Sequence, residues 1–379
     1  MASYPGLNKI RADALKELRL LESYIQKSGE NRFKIEGVLG EGTGGFALKM
    51  AMVNEPSPNL QPTRRFIMKR AIDQQQEEKL LREIEFTKRF RGDAHVAQLF
   101  SIPGEPHDGI SYFKGPTLMT EWIGSFTVKE MIEKRADLGI PFPNRVLWRL
   151  FLCLCRMLIA MAWPSNGPPG CPRRVELVPS PGPDGKRPPK LPLLHGDLNI
   201  QNILVGDRDQ SEHRLVNSLV LIDFGNARTL PEDQGEQAVK ANMCLMGEVM
   251  LNLVGGRVMK NATGSSNMDI TVNGERKTIR SWARDLDGLN PAYRAPADLV
   301  AEHKDRVDNL DADLRSLIIR CLAPMADNRP DLETLVEEVE RNVNNKTANS
   351  YAGKKYASNE TDSAVERIMH RLVHDASLA

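Results

Sequence analysis

Little in this sequence marks it for export, for a metal framework or for a strongly charged partner. Lysine and arginine total 51 against 50 acidic residues, a net charge of +1. No whole-protein basic field exists to draw in nucleic acid or an anionic membrane surface, and neither is expected as a partner. Cysteines are few (Cys153, Cys155, Cys171, Cys244 and Cys321), odd in number, and spaced for neither zinc nor a disulfide framework. A reducing compartment, cytoplasmic or nuclear, is the expectation. The first twenty residues hold no apolar stretch of the signal-peptide kind, so secretion is not expected. The N-x-S/T triplets at Asn261, Asn345 and Asn359 then read as chance. Long hydrophobic runs are absent except at residues 146–163, VLWRLFLCLCRMLIAMAW. That run carries Arg149 and Arg156, each costing about 2.5–3.5 kcal/mol at a membrane centre, two turns apart on one face. It reads as a buried core helix, and no membrane span is expected. What remains is a globular composition, 41% hydrophobic and 27% charged, in 379 residues. That is chain enough for two cores or one large two-part domain.

The texture changes along the chain. Residues 1–30 predict an amphipathic helix with Leu15, Leu18, Leu21 and Ile25 on one stripe. Residues 33–122 carry short strand-like runs (FKIEGVLG, ALKMAMV, RRFIMKRA, TLMTEWI), with one charged helix at 74–90. Beyond Thr127 the pattern is mostly helical. Residues 164–192 are dense in proline and glycine, an irregular insertion of mobile composition. Residues 270–279 predict a hairpin around Asn273-Gly274. The last stretch, 344–379, reads as a polar linker followed by a short helix.

Four places carry candidate chemistry. Gly40, Gly42 and Gly45 satisfy G-x-G-x-x-G. The following ALKMAMV favours a strand over the helix of a dinucleotide fold, leaving a glycine flap over phosphates or an ordinary glycine hairpin. Lys69 lies inside the apolar run FIMKRA. If buried it needs an anionic partner, and Glu83 on the next helix or a phosphate could serve; on an edge strand it could simply face water. Asp197 and Asn202, in LHGDLNIQNIL, have the spacing of a proton acceptor and a cation ligand on one loop. Asp223 ends the apolar run LVLID, which suits a carboxylate delivered to a divalent cation. Either motif alone could be a turn; the pair in this order argues for chemistry.

Taken together, these residues resemble the protein-kinase superfamily from about residue 33 to residue 343. Gly40, Glu41, Gly42 and Gly45 are similar to its glycine-rich loop, Lys69 to its phosphate-binding lysine, and Glu83 to the helix glutamate that pairs with it, with Glu85 as the fallback. Thr120-Glu121-Trp122-Ile123 resembles the hinge, whose backbone at Glu121 and Ile123 would bind adenine. His195-Gly196-Asp197 with Asn202 resembles the catalytic loop, Asp223-Phe224-Gly225 the metal-binding motif, and Asp327-Asn328-Arg329-Pro330 the approach to the last helix. The resemblance implies an α+β, bilobal fold with a small β-rich N-lobe at 31–123 and a larger helical C-lobe at 124–343. ATP would lie between them with Mg²⁺ or Mn²⁺ on Asn202 and Asp223, Lys69 and Glu83 would place the phosphates, and Asp197 would deprotonate a hydroxyl acceptor.

The departures bear on the acceptor. Gly196 stands where an arginine is usual and Asn199 where Ser/Thr kinases have a lysine. His-Gly-Asp is commoner in small-molecule phosphotransferases and some atypical protein kinases. Asn242 takes the place of an aspartate, and residues 226–241 form a short activation segment with Thr229 its sole hydroxyl residue. Tyr293-Arg-Ala-Pro-Ala297 is read as a chance match to the motif that usually closes that segment. The expectation is a divergent Ser/Thr protein kinase, with a small-molecule kinase of the aminoglycoside or choline kinase type, or a pseudokinase scaffold, as alternatives.

Overall fold

A backbone that only glycine can adopt shapes the first hairpin. Strand β1 (Phe33–Gly42) pairs antiparallel with β2 (Gly45–Met52), Gly42 opposite Gly45. Gly45 has φ 120°, and a Cβ there would lie 1.9 Å from the Arg70 carbonyl oxygen, so no other residue fits. Strands β3 (Arg65–Arg70) and β4 (Thr117–Glu121) complete a four-stranded antiparallel sheet in the order β1-β2-β3-β4. The structure, a computed structural model, describes residues 4–27, 33–42, 44–53, 64–101, 115–124, 126–209, 211–256, 264–272, 274–288 and 297–374. Asn261, Asn273 and most of the 293–297 match lie outside the described residues.

The described chain is mixed α+β and divides into two compact units. The first holds Met1–Ile123 with Pro164–Arg174 and Asp223–Ala227. One sheet face is covered by α1 (Ala12–Lys27) through Ala14, Leu18 and Leu21. Leu15, expected on that stripe, is exposed, and Ala14 takes its place. The 4-3-4 spacing of Ala14, Leu18, Leu21 and Ile25 is the run that one helical face presents to a sheet. Helix α2 (Gln74–Arg89) starts where Asp73 accepts a hydrogen bond from the Gln76 amide at 2.9 Å, and lays Leu80 and Ile84 against Leu118. The proline-rich residues 164–174 lack regular structure yet are tied down: the Asn166 and Gly167 amides donate to the Arg89 and Arg91 carbonyls at 2.9 Å, and Arg174 to Gly92 at 2.8 Å.

The second unit is built on α4 (Asn144–Ala162), the expected core helix, against which α5 (Gly235–Gly255) and α8 (Leu332–Asn345) pack. No helix among the described residues is long and apolar enough to cross a membrane. Arg156, deep in this core, reaches Glu212 at 2.6 Å and Glu340 at 2.8 Å. Around this core lie α3 (Val128–Asp137), α6 (Ala297–Asp308) and α7 (Ala312–Cys321). Small antiparallel pairs join β5 (Leu193–Leu194) to β8 (Arg228–Thr229) and β6 (Ile203–Val205) to β7 (Leu219–Leu221). The predicted hairpin is present as β9 (Ser266–Val272) and β10 (Glu275–Ser281).

The stretch after residue 344 is no free linker. Helix α8 runs into it, and it returns over the unit in two 3-10 turns before α9 (Asp362–His374). Glu360, 2% exposed, accepts the Asn144 and Arg145 backbone amides at 2.7 and 3.0 Å, so a distant carboxylate caps the first turn of α4. Burial pushes its carboxyl above the usual range, against the pull of those amides. Composition hid this, because a polar segment reads the same whether its polar groups meet water or helix ends. Glu360→Ala should therefore cost about 3 kcal/mol of unfolding free energy, with Glu360→Gln losing less, in urea denaturation followed by far-UV circular dichroism. Equal stability of all three proteins would refute the capping role.

Candidate functional site

In the first unit three residues remote in sequence meet at one ammonium. The Lys69 Nζ on β3 donates to Glu83 Oε2 on α2 at 2.6 Å and to Asp223 Oδ1 at 3.3 Å. Glu85, the fallback partner, instead pairs with Lys88 on the helix surface. Asp223 is held with φ 64° and ψ 77°, a left-handed backbone that few aspartates adopt, and its Oδ1 also accepts the Gly225 amide at 3.2 Å. Phe224 anchors this turn by stacking on Phe90, ring centroids 4.6 Å apart. Burial draws the Lys69 ammonium down, but the Glu83 and Asp223 carboxylates outweigh it and its pKa stands above the ordinary value. Burial pushes the Glu83 carboxyl up to about 7 despite Lys69 beside it.

The glycine turn lies over this group. A Cβ on Gly44 would come within 3.1 Å of Lys69 Nζ and Cε. Gly44 was not among the expected glycines; the motif template passes over it, and its proximity to Lys69 exists only in the folded hairpin. At Gly40 and Gly42 a Cβ would meet nothing within 4 Å. The Glu41 carboxylate is taken by Arg11, whose backbone amide and Nε donate to it at 2.8 and 2.6 Å. On β4 the Glu121 side chain accepts the Gln98 amide at 2.8 Å and pairs with Arg173. Ile123 follows just beyond the strand.

In the second unit a loop between β5 and β6 holds Asp197. Asn199 Nδ2 donates to Asp197 Oδ1 at 2.8 Å, and Asn202 Nδ2 donates to Oδ2 at 3.0 Å, so each carboxylate oxygen is oriented by one amide. With its Nδ2 turned inward, Asn202 leaves Oδ1 as an available acceptor. Gly196 has φ 77°, the left-handed region that favours glycine. The loop is anchored below. Buried Asn242 on α5 accepts the His195 amide at 3.1 Å and donates to the Leu193 carbonyl at 2.7 Å. The His195 ring accepts the Asp197 amide at Nδ1 (3.3 Å), which leaves Nε2–H to donate to the Ile222 carbonyl at 3.2 Å. The expected 226–241 segment is shorter than it looked: α5 begins at Gly235, and Arg228–Thr229 already pair with β5.

Asp223 Oδ2 in the first unit and Asn202 Oδ1 in the second are each a hard oxygen donor of the kind that suits Mg²⁺ or Mn²⁺. No family model matches this chain, and no curated protein matches it.

The Glu83 pKa has a consequence for stability. A carboxyl whose folded pKa lies above its unfolded value of 4.5 favours the fold fully below 4.5, and this contribution is lost as pH rises through about 7. Wild-type stability should therefore decline between pH 5 and 8 relative to Glu83→Gln, as measured by urea midpoints at both pH values. Parallel curves for the two proteins would show that Glu83 is ionised throughout.

Proposed function

We propose that this chain is a Mg²⁺- and ATP-dependent phosphotransferase of the protein-kinase superfamily, with the bilobal fold of that group and a hydroxyl-bearing acceptor. The observation that carries the reading is the meeting of Lys69, Glu83 and Asp223 at one buried ammonium. A lone lysine–glutamate pair is common in folded proteins. A third carboxylate, on a strained turn and drawn from 154 positions away, is not needed for neutralisation alone.

In this reading Lys69 binds nucleotide phosphates and Glu83 holds it in place, while the open backbone at Gly40 and Gly42 lets a phosphate approach. Adenine is bound by the backbone at Glu121 and Ile123; the Glu41 carboxylate, taken by Arg11, contributes only main chain. Asp223 and Asn202 offer oxygen to a divalent cation, which neutralises phosphate charge when bound. Asp197 accepts the proton of the acceptor hydroxyl as that oxygen attacks the γ-phosphorus; the bond to the bridging oxygen breaks and ADP leaves with the electron pair. Asn199 cannot supply the charge of the missing lysine, but it fixes the Asp197 carboxylate for the proton transfer.

The leading acceptor class is a Ser or Thr hydroxyl of a protein, in line with the Asp327-to-Pro330 resemblance. In that stretch Arg329 donates to the Ala323 carbonyl at 2.8 Å and to the Lys240 carbonyl at 2.7 Å. One observation favours a small-molecule acceptor instead: between the Asp223 turn and α5 only residues 227–234 remain, little chain to seat a peptide.

Mass spectrometry of the protein after incubation with Mg-ATP separates the classes. Self-phosphorylation on Ser or Thr supports the protein kinase, and ADP release only with a metabolite extract supports the small-molecule kinase. Nucleotide-induced thermal stabilisation without turnover leaves a pseudokinase scaffold. Asp223→Ala should weaken Mg²⁺-dependent nucleotide binding by about a hundredfold or more in calorimetry, and wild-type affinity would overturn the assignment. Lys69→Met should remove turnover at little cost in melting temperature, since Glu83 can take up a proton near neutrality; a collapse in stability would make Lys69 purely structural.

The segment also predicts its regulation. A phosphate on Thr229 would find Arg228 beside it but no charge from Gly196, and the like charge of Glu232, Asp233 and Glu236 would oppose its docking. Thr229→Ala protein from bacteria, treated with phosphatase, should turn over ATP at the wild-type rate. A loss of about tenfold rescued by Thr229→Glu would show the opposite.

A further inference from the structure

A second polar site lies in the helical unit, made of residues that the phosphotransferase reading does not use. A cavity of about 360 Å³ opens between α4, the 211–215 loop and α8, lined by Arg149, Arg156, Ser211, Glu212, Arg214 and Glu340 among others. Its charges are not balanced pair by pair. Arg156 takes up both acids, Glu212 at 2.6 Å and Glu340 at 2.8 Å. Arg149 makes one hydrogen bond, from Nη1 to the Arg145 carbonyl of its own helix at 3.0 Å. Its neighbour Arg145 already pairs with Asp362 at 2.6 Å. Arg214 is exposed at the mouth, and no carboxylate among the described residues bonds it.

Two guanidinium groups that no carboxylate bonds among the described residues thus flank a cavity whose two acids both bond Arg156. Burial holds the Arg149 pKa below its usual value, with Arg145 and Arg214 adding to that and Asp362 and Tyr351 opposing it. The loop that presents Arg214 is stiffened by Asp209, whose Oδ1 accepts the Ser211 and His213 amides at 2.7 and 3.1 Å. Leu152, Leu215 and Val343 supply an apolar wall. A guanidinium fork matches the oxygens of a phosphate, and the volume exceeds that of inorganic phosphate.

We propose that this cavity binds a small phosphate monoester with an apolar body, its phosphate held by Arg149 and Arg214 and its body against Leu152, Leu215 and Val343. The test is isothermal titration of the full chain, free of nucleotide, with phenyl phosphate and with inorganic phosphate. Phenyl phosphate should bind one to one and more tightly than inorganic phosphate. Arg214→Gln, at an exposed position, should weaken it about tenfold or more, and Lys69→Met should leave it unchanged. Absence of saturable binding at about 10 mM ligand would overturn the proposal. So would equal affinity in Arg214→Gln, or a loss confined to Lys69→Met, which would place the phosphate at the Lys69 group instead.

Discussion

A lysine ammonium set in the wall of an apolar sheet must find negative charge, and the first unit is organised around meeting that need. Lys69 keeps only 15% of its side chain exposed, and Glu83 only 5%. Desolvating either charge alone would cost several kcal/mol, so they are buried together or not at all. The constraint positions α2, whose Leu80 and Ile84 fix the helix while Glu83 points at β3. Asp223 reaches the same ammonium at 3.3 Å from a left-handed backbone. Phe224 on Phe90 secures the turn that holds it there.

The Asp197 loop solves a different problem with neutral groups. No lysine or arginine bonds its carboxylate among the described residues; two asparagine amides orient it, and Asn242 anchors the chain below. Neutral donors orient the carboxylate without an ion pair, one amide to each oxygen. The glycine at 196 belongs to the same economy, because the loop bends through a φ that an arginine would enter only under strain.

In the second unit a helix rich in apolar residues is made tenable by polar groups brought from far along the chain. Glu360 caps α4 at its start, and Glu212 and Glu340 neutralise Arg156 in its middle. The C-terminal stretch is therefore part of the helical core. Lys346 reinforces it by bridging Asp311 and Asp313 at 2.7 Å each.

Local order was legible in the amino-acid sequence wherever one short stretch carries its own instruction. The period of α1, the charged helix at 74–90, the hairpin of β9 and β10 and the apolar run of α4 are statements about neighbours within a turn or two, and the chain states them openly. The pairing of Lys69 with Glu83 was legible too, because burial of a lysine demands a partner and the next helix offers one. What depends on contacts distant in sequence was not. Leu15 faces outward because the sheet meets the helix through Ala14, a difference of one residue that periodicity cannot resolve. Gly44 matters only because the hairpin brings it onto Lys69. Among the mostly exposed residues 344–361, Glu360 is buried because Asn144 and Arg145 present amides to it. Residue chemistry decided which groups could act, and only the tertiary structure decided which of them meet, since burial and neutralisation are properties of contacts that composition does not encode.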